Sequence, residues 1–260
     1  MLIYTPLKRA REYSPLALNI YNGCDHGCKY CYIRTLFLSN TQAKERNLSK
    51  LEKELPNINN QVLLCFISDP YCQLDRQVKA TRRVLELFQR YDVPTAILTK
   101  GGLDCLRDMD IISKMKYIKV GATLTFINAE DSKKYEPEAA LPEDRFEALK
   151  QYHDAGIRTW ASLEPVIDPE QSLATIEITK DYVDEYKVGK LNHLKNTIDW
   201  RAFGNRAVDL LLKYGKDFYV KSDLFQFMAD RELDKKHTDM DFLCIKKTEI
   251  TPNLQSTMAF

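Results

Sequence analysis

At 260 residues, 44% of them apolar, the chain can bury one substantial core, arranged as one large domain or two smaller ones. Lys and Arg total 38 against 37 for Asp and Glu, which excludes a whole-protein field that would draw in nucleic acid or an anionic membrane. No apolar stretch approaches the roughly 20 residues that span a bilayer, and Met1 to Tyr13 lacks the charged-then-apolar layout of a secretory signal, so a cytoplasmic, non-membrane protein is expected.

The first strand is expected over Leu16 to Tyr21, and it runs into a cysteine-rich loop, Asn22 to Arg34. Further apolar, β-branched runs follow at Val62 to Ile67, Pro94 to Thr99, Tyr117 to Thr125, Ile157 to Leu163, Glu185 to Val188 and Phe218 to Val220. Helical spacing fills the intervals. Val78, Thr81, Leu85 and Phe88 share one face; Leu103 and Leu106 begin a less regular stretch that continues from Asp110 to Met115. Pro142 opens a helix carrying Phe146 and Leu149 that stops at Gly156, and another with Leu210, Leu211 and Tyr214 stops at Gly215. The last 36 residues, from Phe225, show no unit of this kind.

Strand and helix in alternation make an α/β protein with a parallel sheet and right-handed crossovers, either open and doubly wound or curved into a full or partial barrel. Chemistry in such folds gathers at the strand C-termini. The loops to inspect are therefore Asn22 to Arg34, Ser68 to Arg76, Lys100 to Gly102, Glu164 to Asp168 and Lys190 to His193. Two short basic runs, Leu7 to Arg11 and Thr81 to Arg83, have the look of solvated faces.

Seven cysteines without an export signal are better read as reduced thiols or metal ligands than as a disulfide framework. Cys24, Cys28 and Cys31 are spaced CxxxCxxC. Structural zinc asks for four ligands, commonly two CxxC pairs; no second pair follows, and His26 lies inside the tight loop where it would reach the same ion only under strain. A four-iron cluster fits better, because three thiolates leave one iron open to a small molecule. Gly23 and Gly27 permit the φ values that a close wrap requires. Zinc remains the alternative.

This loop, with an aromatic before its last cysteine and closing a first strand, resembles the signature of the radical S-adenosylmethionine (radical SAM) superfamily. Within it the chain resembles the spore photoproduct lyase, or DNA repair photolyase-like, group. Ile67-Ser68-Asp69-Pro70, Leu98-Thr99-Lys100, Tyr135-Glu136-Pro137 followed by Asp144-Arg145, and Ala155-Gly156 extend the likeness over roughly residues 15 to 190. The resemblance implies a partial (β/α)6-type TIM barrel over residues 1–224, with a short C-terminal extension over 225–260.

It further implies a 4Fe-4S cluster and S-adenosyl-L-methionine as cofactors, with reductive cleavage to a 5′-deoxyadenosyl radical that abstracts hydrogen from a nucleobase or nucleic acid, in repair or in base modification. Cys24, Cys28 and Cys31 would be the cluster ligands and Tyr30 would lie beside the adenine. Ser68 and Asp69 would face the methionyl amino group and Lys100 the carboxylate, assisted by Thr123 or, in an equally tolerable register, Thr125. Glu164 and Asn192 would reach adenosine or substrate. Cys72 or Cys65, with Tyr32 behind the last ligand, would return hydrogen to the substrate radical. The implied partners are an electron donor such as flavodoxin or ferredoxin and a DNA or nucleotide substrate. Other readings are a radical enzyme acting on a protein or small metabolite, and a non-catalytic zinc or iron-sulfur module.

Overall fold

The seven apolar runs line up as seven parallel strands in chain order. The structure, a computed structural model, describes residues 1–33, 42–192 and 194–247; Arg34 and His193 of the inspected loops, and residues 248–260 of the expected extension, lie outside the described residues. The main sheet has the order β1 (Ile3–Tyr4), β2 (Leu16–Leu18), β5 (Val62–Leu64), β6 (Thr95–Thr99), β7 (Ile118–Thr123), β8 (Arg158–Leu163), β9 (Glu185–Val188) and β10 (Asp217–Val220). All neighbours are parallel except β1, which runs antiparallel along β2. This is the expected α/β partial barrel, with β10 added to a core of six units. Among the described residues no helix is long and apolar enough to cross a membrane.

The first run is shorter than its apolar content suggests. Instead of continuing to Tyr21 it breaks after Leu18, and β3 (Tyr21–Asn22) pairs with β4 (Lys44–Glu45) in a separate two-stranded sheet. The cause is Asn19, whose side-chain oxygen accepts from Phe66 N at 2.7 Å and Ile67 N at 3.0 Å. A side chain thus takes the place of the next ladder rung and also stops β5 at Leu64.

Helix α1 (Ala80–Arg90) buries Ala80, Val84, Leu85 and Phe88 against the sheet. Asn128 caps α2 (Ala129–Tyr135), and Pro142 opens α3 (Pro142–Asp154) at its first position. Helix α4 (Pro169–Thr179), capped by Asp168, has no clean apolar stripe, because its buried face mixes Leu173 and Ile176 with Ser172, Thr175 and Thr179. Helix α5 (Trp200–Lys213) is capped by Asp199 and packs on α4. The irregular stretch after Lys100 is a 3-10 turn over Gly102–Asp108 followed by a short helix, Met109–Ile112.

Two apolar clusters lie between the sheet and these helices, while a smaller one, Ala17, Leu63, Ala96 and Trp160, fills the concave side. The rest of the concave side is polar. Lys119 and Glu185 form a buried pair at 2.6 Å, and Lys187 donates to Glu12 O at 2.6 Å and Tyr13 O at 3.0 Å. Charges survive there because each is paired or hydrogen-bonded. The segment around the 3-10 turn Lys8–Glu12 therefore crosses from the β1–β2 edge to β9 and β10, bridging the two edges of the open sheet.

Trp160 donates from its indole nitrogen to Ile97 O at 3.0 Å and lies over Gly121, where a Cβ would collide with the indole ring. Gly121→Ala is expected to lower stability by about 1–3 kcal/mol, the usual cost of overpacking, measured as a shift in the denaturant midpoint at unchanged m.

Candidate functional site

Gly23 and Gly27 adopt φ of 78° and 67°, and with them the loop after β3 folds back twice within a few residues. Its side chains and backbone are fastened from several directions. Asp25 accepts from Gln73 N at 2.9 Å and Leu74 N at 3.1 Å; His26 lies with Nδ1 3.6 Å from Asp69; Lys29 N donates to Tyr135 O at 2.8 Å. Tyr30 donates its hydroxyl to Glu136 and Tyr32 donates to Phe66 O at 2.9 Å. Cys24, Cys28 and Cys31, half-buried and free of disulfides, hang between these anchors. Burial pushes the Cys28 thiol up to about 11, with Lys100 pulling the other way.

Glu136 is the deepest anchor. It pairs with Arg145 at 2.5 Å and accepts from Thr125 at 3.1 Å, while Arg145 also donates to Thr123 O at 3.0 Å and Ala140 O. Burial alone would raise the Glu136 carboxyl, yet Arg145 and Lys100 beside it hold it below its ordinary value. The two registers considered for the β7 hydroxyl thus separate: Thr125 is hydrogen-bonded into this group, and Thr123 ends β7 opposite Ser162.

At the ends of β5 and β6, Asp69 accepts from Thr99 Oγ1 at 2.6 Å, Tyr71 N at 2.8 Å and Lys100 N at 2.7 Å. The Lys100 ammonium has no carboxylate partner among the described residues and sits 5.7 Å from the Tyr30 ring centroid. Ser68 Oγ is buried with no oxygen or nitrogen partner among the described residues, and the Cys65 thiol is its hydrogen-bonding neighbour. Cys65 and Cys72 are both buried, and burial raises both thiols, Cys65 to about 12.

Glu164 and Asn192 meet on the other side of the barrel mouth, at 3.0 Å. Sequence reasoning missed the residues around them. Glu164 also accepts from Tyr13 at 2.7 Å and from Lys221; Asn192 donates to Asp223 at 2.8 Å and accepts from Arg9 at 2.9 Å. Gly189 leaves room for this carboxylate, since a Cβ there would stand 2.9 Å from Glu164 Cδ. The signal available in the sequence was polar residues at the end of the last strand, Lys221 and Asp223. Of the basic runs, Arg82 binds Asp108 and Asp110, and Arg83 binds Glu45, as a solvated face would.

The donor set suits the implied cofactors. A four-iron cluster engages each thiolate through a different iron, so the three free cysteines need not converge on a single-ion position. The Ser68 hydroxyl, with only the Cys65 thiol beside it, and the Lys100 ammonium, in no direct ion pair among the described residues, offer a donor and a cation to a zwitterionic amino acid moiety.

Comparison with known proteins agrees. A family model described as the Radical SAM superfamily matches residues 18–183. An uncharacterized protein of Methanocaldococcus jannaschii is 27% identical over 240 residues, 90% of this chain and 86% of the other; an uncharacterized protein of Acidianus two-tailed virus is 24% identical over 85% and 75%. Among solved structures, Streptococcus suis SuiB bound to S-adenosylmethionine superposes with TM-score 0.66 at 15% identity, over 84% of this chain and 53% of SuiB. The chain therefore spans about half the length of that protein. A spore photoproduct lyase variant with bound AdoMet and dinucleoside spore photoproduct gives 0.63 at 12%, over 84% and 79%.

Removing one partner from the Glu136–Arg145 pair strands a buried charge. Glu136→Gln is expected to destabilise the protein by about 3–5 kcal/mol and to speed amide exchange at Lys29 and Cys31, read by mass spectrometry against the wild type.

Proposed function

Because the chain belongs to the radical SAM superfamily, whose cofactors are a 4Fe-4S cluster and S-adenosylmethionine, we propose that it is a radical enzyme acting on a nucleobase or nucleic acid, in repair of the spore photoproduct type or in base modification. The observation that carries this reading is the set of three reduced cysteines on one pinned loop beside a lysine ammonium that forms no direct ion pair among the described residues. Cys24, Cys28 and Cys31 would hold the cluster. Together the two cofactors supply one-electron cleavage of a sulfonium and a carbon radical able to abstract hydrogen.

The chain's own residues position and shield. Lys100 would bind the methionyl carboxylate, with Thr123 at the end of the next strand assisting. Ser68 would donate to the same moiety, and Asp69 would accept from its amino group: Oδ1 already takes two donors, whereas Oδ2 takes one hydrogen bond, from Lys100 N, with His26 Nδ1 3.6 Å away. Tyr30 is proposed to line the adenine side with its ring, since its hydroxyl is engaged by Glu136. Glu164 and Asn192, already joined, would meet ribose or substrate.

Return of hydrogen needs an intact S–H or O–H bond. The raised thiols of Cys72 and Cys65 stay protonated at neutral pH, and Tyr32, tied to Phe66 beside Cys65, would stand behind them as a relay. An electron donor of the flavodoxin or ferredoxin kind and a cytoplasmic site of action complete the proposal. The likeness to a SuiB structure bound to precursor peptide SuiA, at TM-score 0.64, supports a peptide substrate as the second reading.

Anaerobically reconstituted protein supplied with dithionite and S-adenosylmethionine is expected to form 5′-deoxyadenosine, and Cys28→Ala to form none; product equal to that variant's background would remove the mechanism. Lys100→Met is expected to weaken S-adenosylmethionine binding by about tenfold or more, the worth of one charge-assisted hydrogen bond, at unchanged iron content, measured by equilibrium dialysis.

A further inference from the structure

The ends of β8, β9 and β10 carry more charge than holding Glu164 requires. Five acidic and basic side chains from two strand ends and the N-terminal segment gather here: Arg9, Glu12, Glu164, Lys221 and Asp223. Tyr219 OH at 2.8 Å and Ser222 N at 2.7 Å fill one oxygen of Glu12, and Asn192 fills one oxygen of Asp223. Of the remaining oxygens, both buried and without a hydrogen bond, Glu12 Oε2 faces the Lys221 ammonium at 3.8 Å, while Asp223 Oδ1 has no partner among the described residues. Both residues are more than nine-tenths buried. A buried carboxylate oxygen without a donor costs free energy that folding would remove unless a ligand supplies the donor.

The rim above these acids has a different character. Arg9 is 53% exposed on its way to Asn192 and Asp223. Phe227, four residues beyond Asp223, is 41% exposed, and Lys190 Nζ lies 5.9 Å from its ring centroid. The carbonyl of Lys190 in turn receives Asn192 Nδ2 at 3.4 Å. Cations interleaved with an exposed aromatic ring suit a phosphate backbone and a stacked base, while carboxylates below suit the N–H hydrogens of that base.

We propose that Asp223 and Glu12 form the floor of a substrate subsite for a nucleobase bearing an exocyclic amino group, with Arg9, Lys190 and Phe227 as its phosphate-and-stacking rim. Asp223 Oδ1 is the principal acceptor, in the pairing by which acidic side chains take the N4 amino hydrogens of cytosine. The assignment rests on the nucleobase reading above and narrows it to modification of an amino-bearing base, because a thymine photoproduct has no such amino group. A base with a carbonyl in place of that amino group, such as thymine with O4 where cytosine has N4, would bring oxygen against buried carboxylate at the same position. The N-terminal segment is thereby part of the site, since it contributes Arg9 and Glu12 and is held in place by Lys187.

Short oligodeoxycytidylate, oligodeoxyadenylate and oligodeoxythymidylate, titrated by fluorescence anisotropy against the iron-loaded, S-adenosylmethionine-saturated protein, test this. The cytidine or adenine strand is expected to bind about tenfold more tightly than the thymidine strand. Asp223→Asn is expected to abolish that preference, with iron content and circular dichroism verifying the fold, and Glu12→Gln to reduce it. Lys190→Ala is expected to weaken all three strands alike and to flatten the salt dependence. Equal binding of the three strands to the wild type, or a preference that survives in Asp223→Asn, overturns the amino-group assignment while leaving the nucleobase reading intact. Failure of all three strands to bind overturns the nucleobase reading and this subsite with it.

Discussion

The buried pair of Glu136 and Arg145 is the constraint on which the cysteine loop depends. An ion pair taken out of water gives up hydration that its mutual attraction barely replaces, so such a pair is weak evidence for stability and better evidence for a fixed arrangement. Here every capacity of the pair is used to join segments distant in sequence. Arg145, from the first turn of α3, reaches the end of β7 at Thr123 O and the preceding loop at Ala140 O, while Glu136 takes the hydroxyls of Tyr30 and Thr125. The loop that presents three thiols is therefore fixed through Tyr30 to the sheet rather than through the sulfurs themselves. Asp69 performs the same service from the opposite flank, joining the ends of β5 and β6 and facing His26.

That division explains what could be read in the sequence. Strands buried on both faces announce themselves as continuous apolar runs, and all seven parallel strands were visible in this way. The cysteine triplet was visible because its spacing is rare and the chemistry of thiolates is narrow. Glu136 and Arg145 stood inside recognisable motifs, but nothing in their spacing says that they meet, since a buried ion pair is made by tertiary packing. The same limit hid Asn19, whose side chain replaces a ladder rung and cuts the first strand short. Helix α4 escaped because a face half made of Ser and Thr has little hydrophobic periodicity, although Asp168-Pro169 announces its start.

Least legible was the polar concave side. Lys119, Lys187 and Lys221 are all but fully buried, yet in a sequence each resembles an outward-facing lysine of an alternating strand. Their partners come from elsewhere in the chain: Glu185 from a different strand, the Glu12 and Tyr13 carbonyls from the N-terminal segment, and Glu164 from the loop after β8. The 3-10 segment Lys8–Glu12 read as a solvated basic run. It instead bridges the two edges of the open sheet, because Lys187 and the main chain at Ser222 capture Glu12 and its neighbour.

An open barrel needs such a bridge for a physical reason. Strands β1 and β10 are edges, and the concave side between them would admit water to charged groups whose pairing depends on its exclusion. The N-terminal segment excludes that water by placing Tyr13 among Trp160, Phe66, Ser162 and Glu164. In doing so it divides the barrel mouth. On the β2 to β7 side stand reduced thiols, the Lys100 ammonium and the Ser68 hydroxyl, groups suited to a metal cluster and an amino acid zwitterion. On the β8 to β10 side stand buried carboxylates, of which Asp223 keeps one oxygen without a partner among the described residues. Radical chemistry requires that the group generating the radical and the molecule receiving it be held side by side and out of solvent. Thr123 and Ser162, register partners on adjacent strands with Ser162 bonded to Tyr13, mark the seam between the two halves. A change at that seam would therefore alter the coupling of the halves before it altered either one.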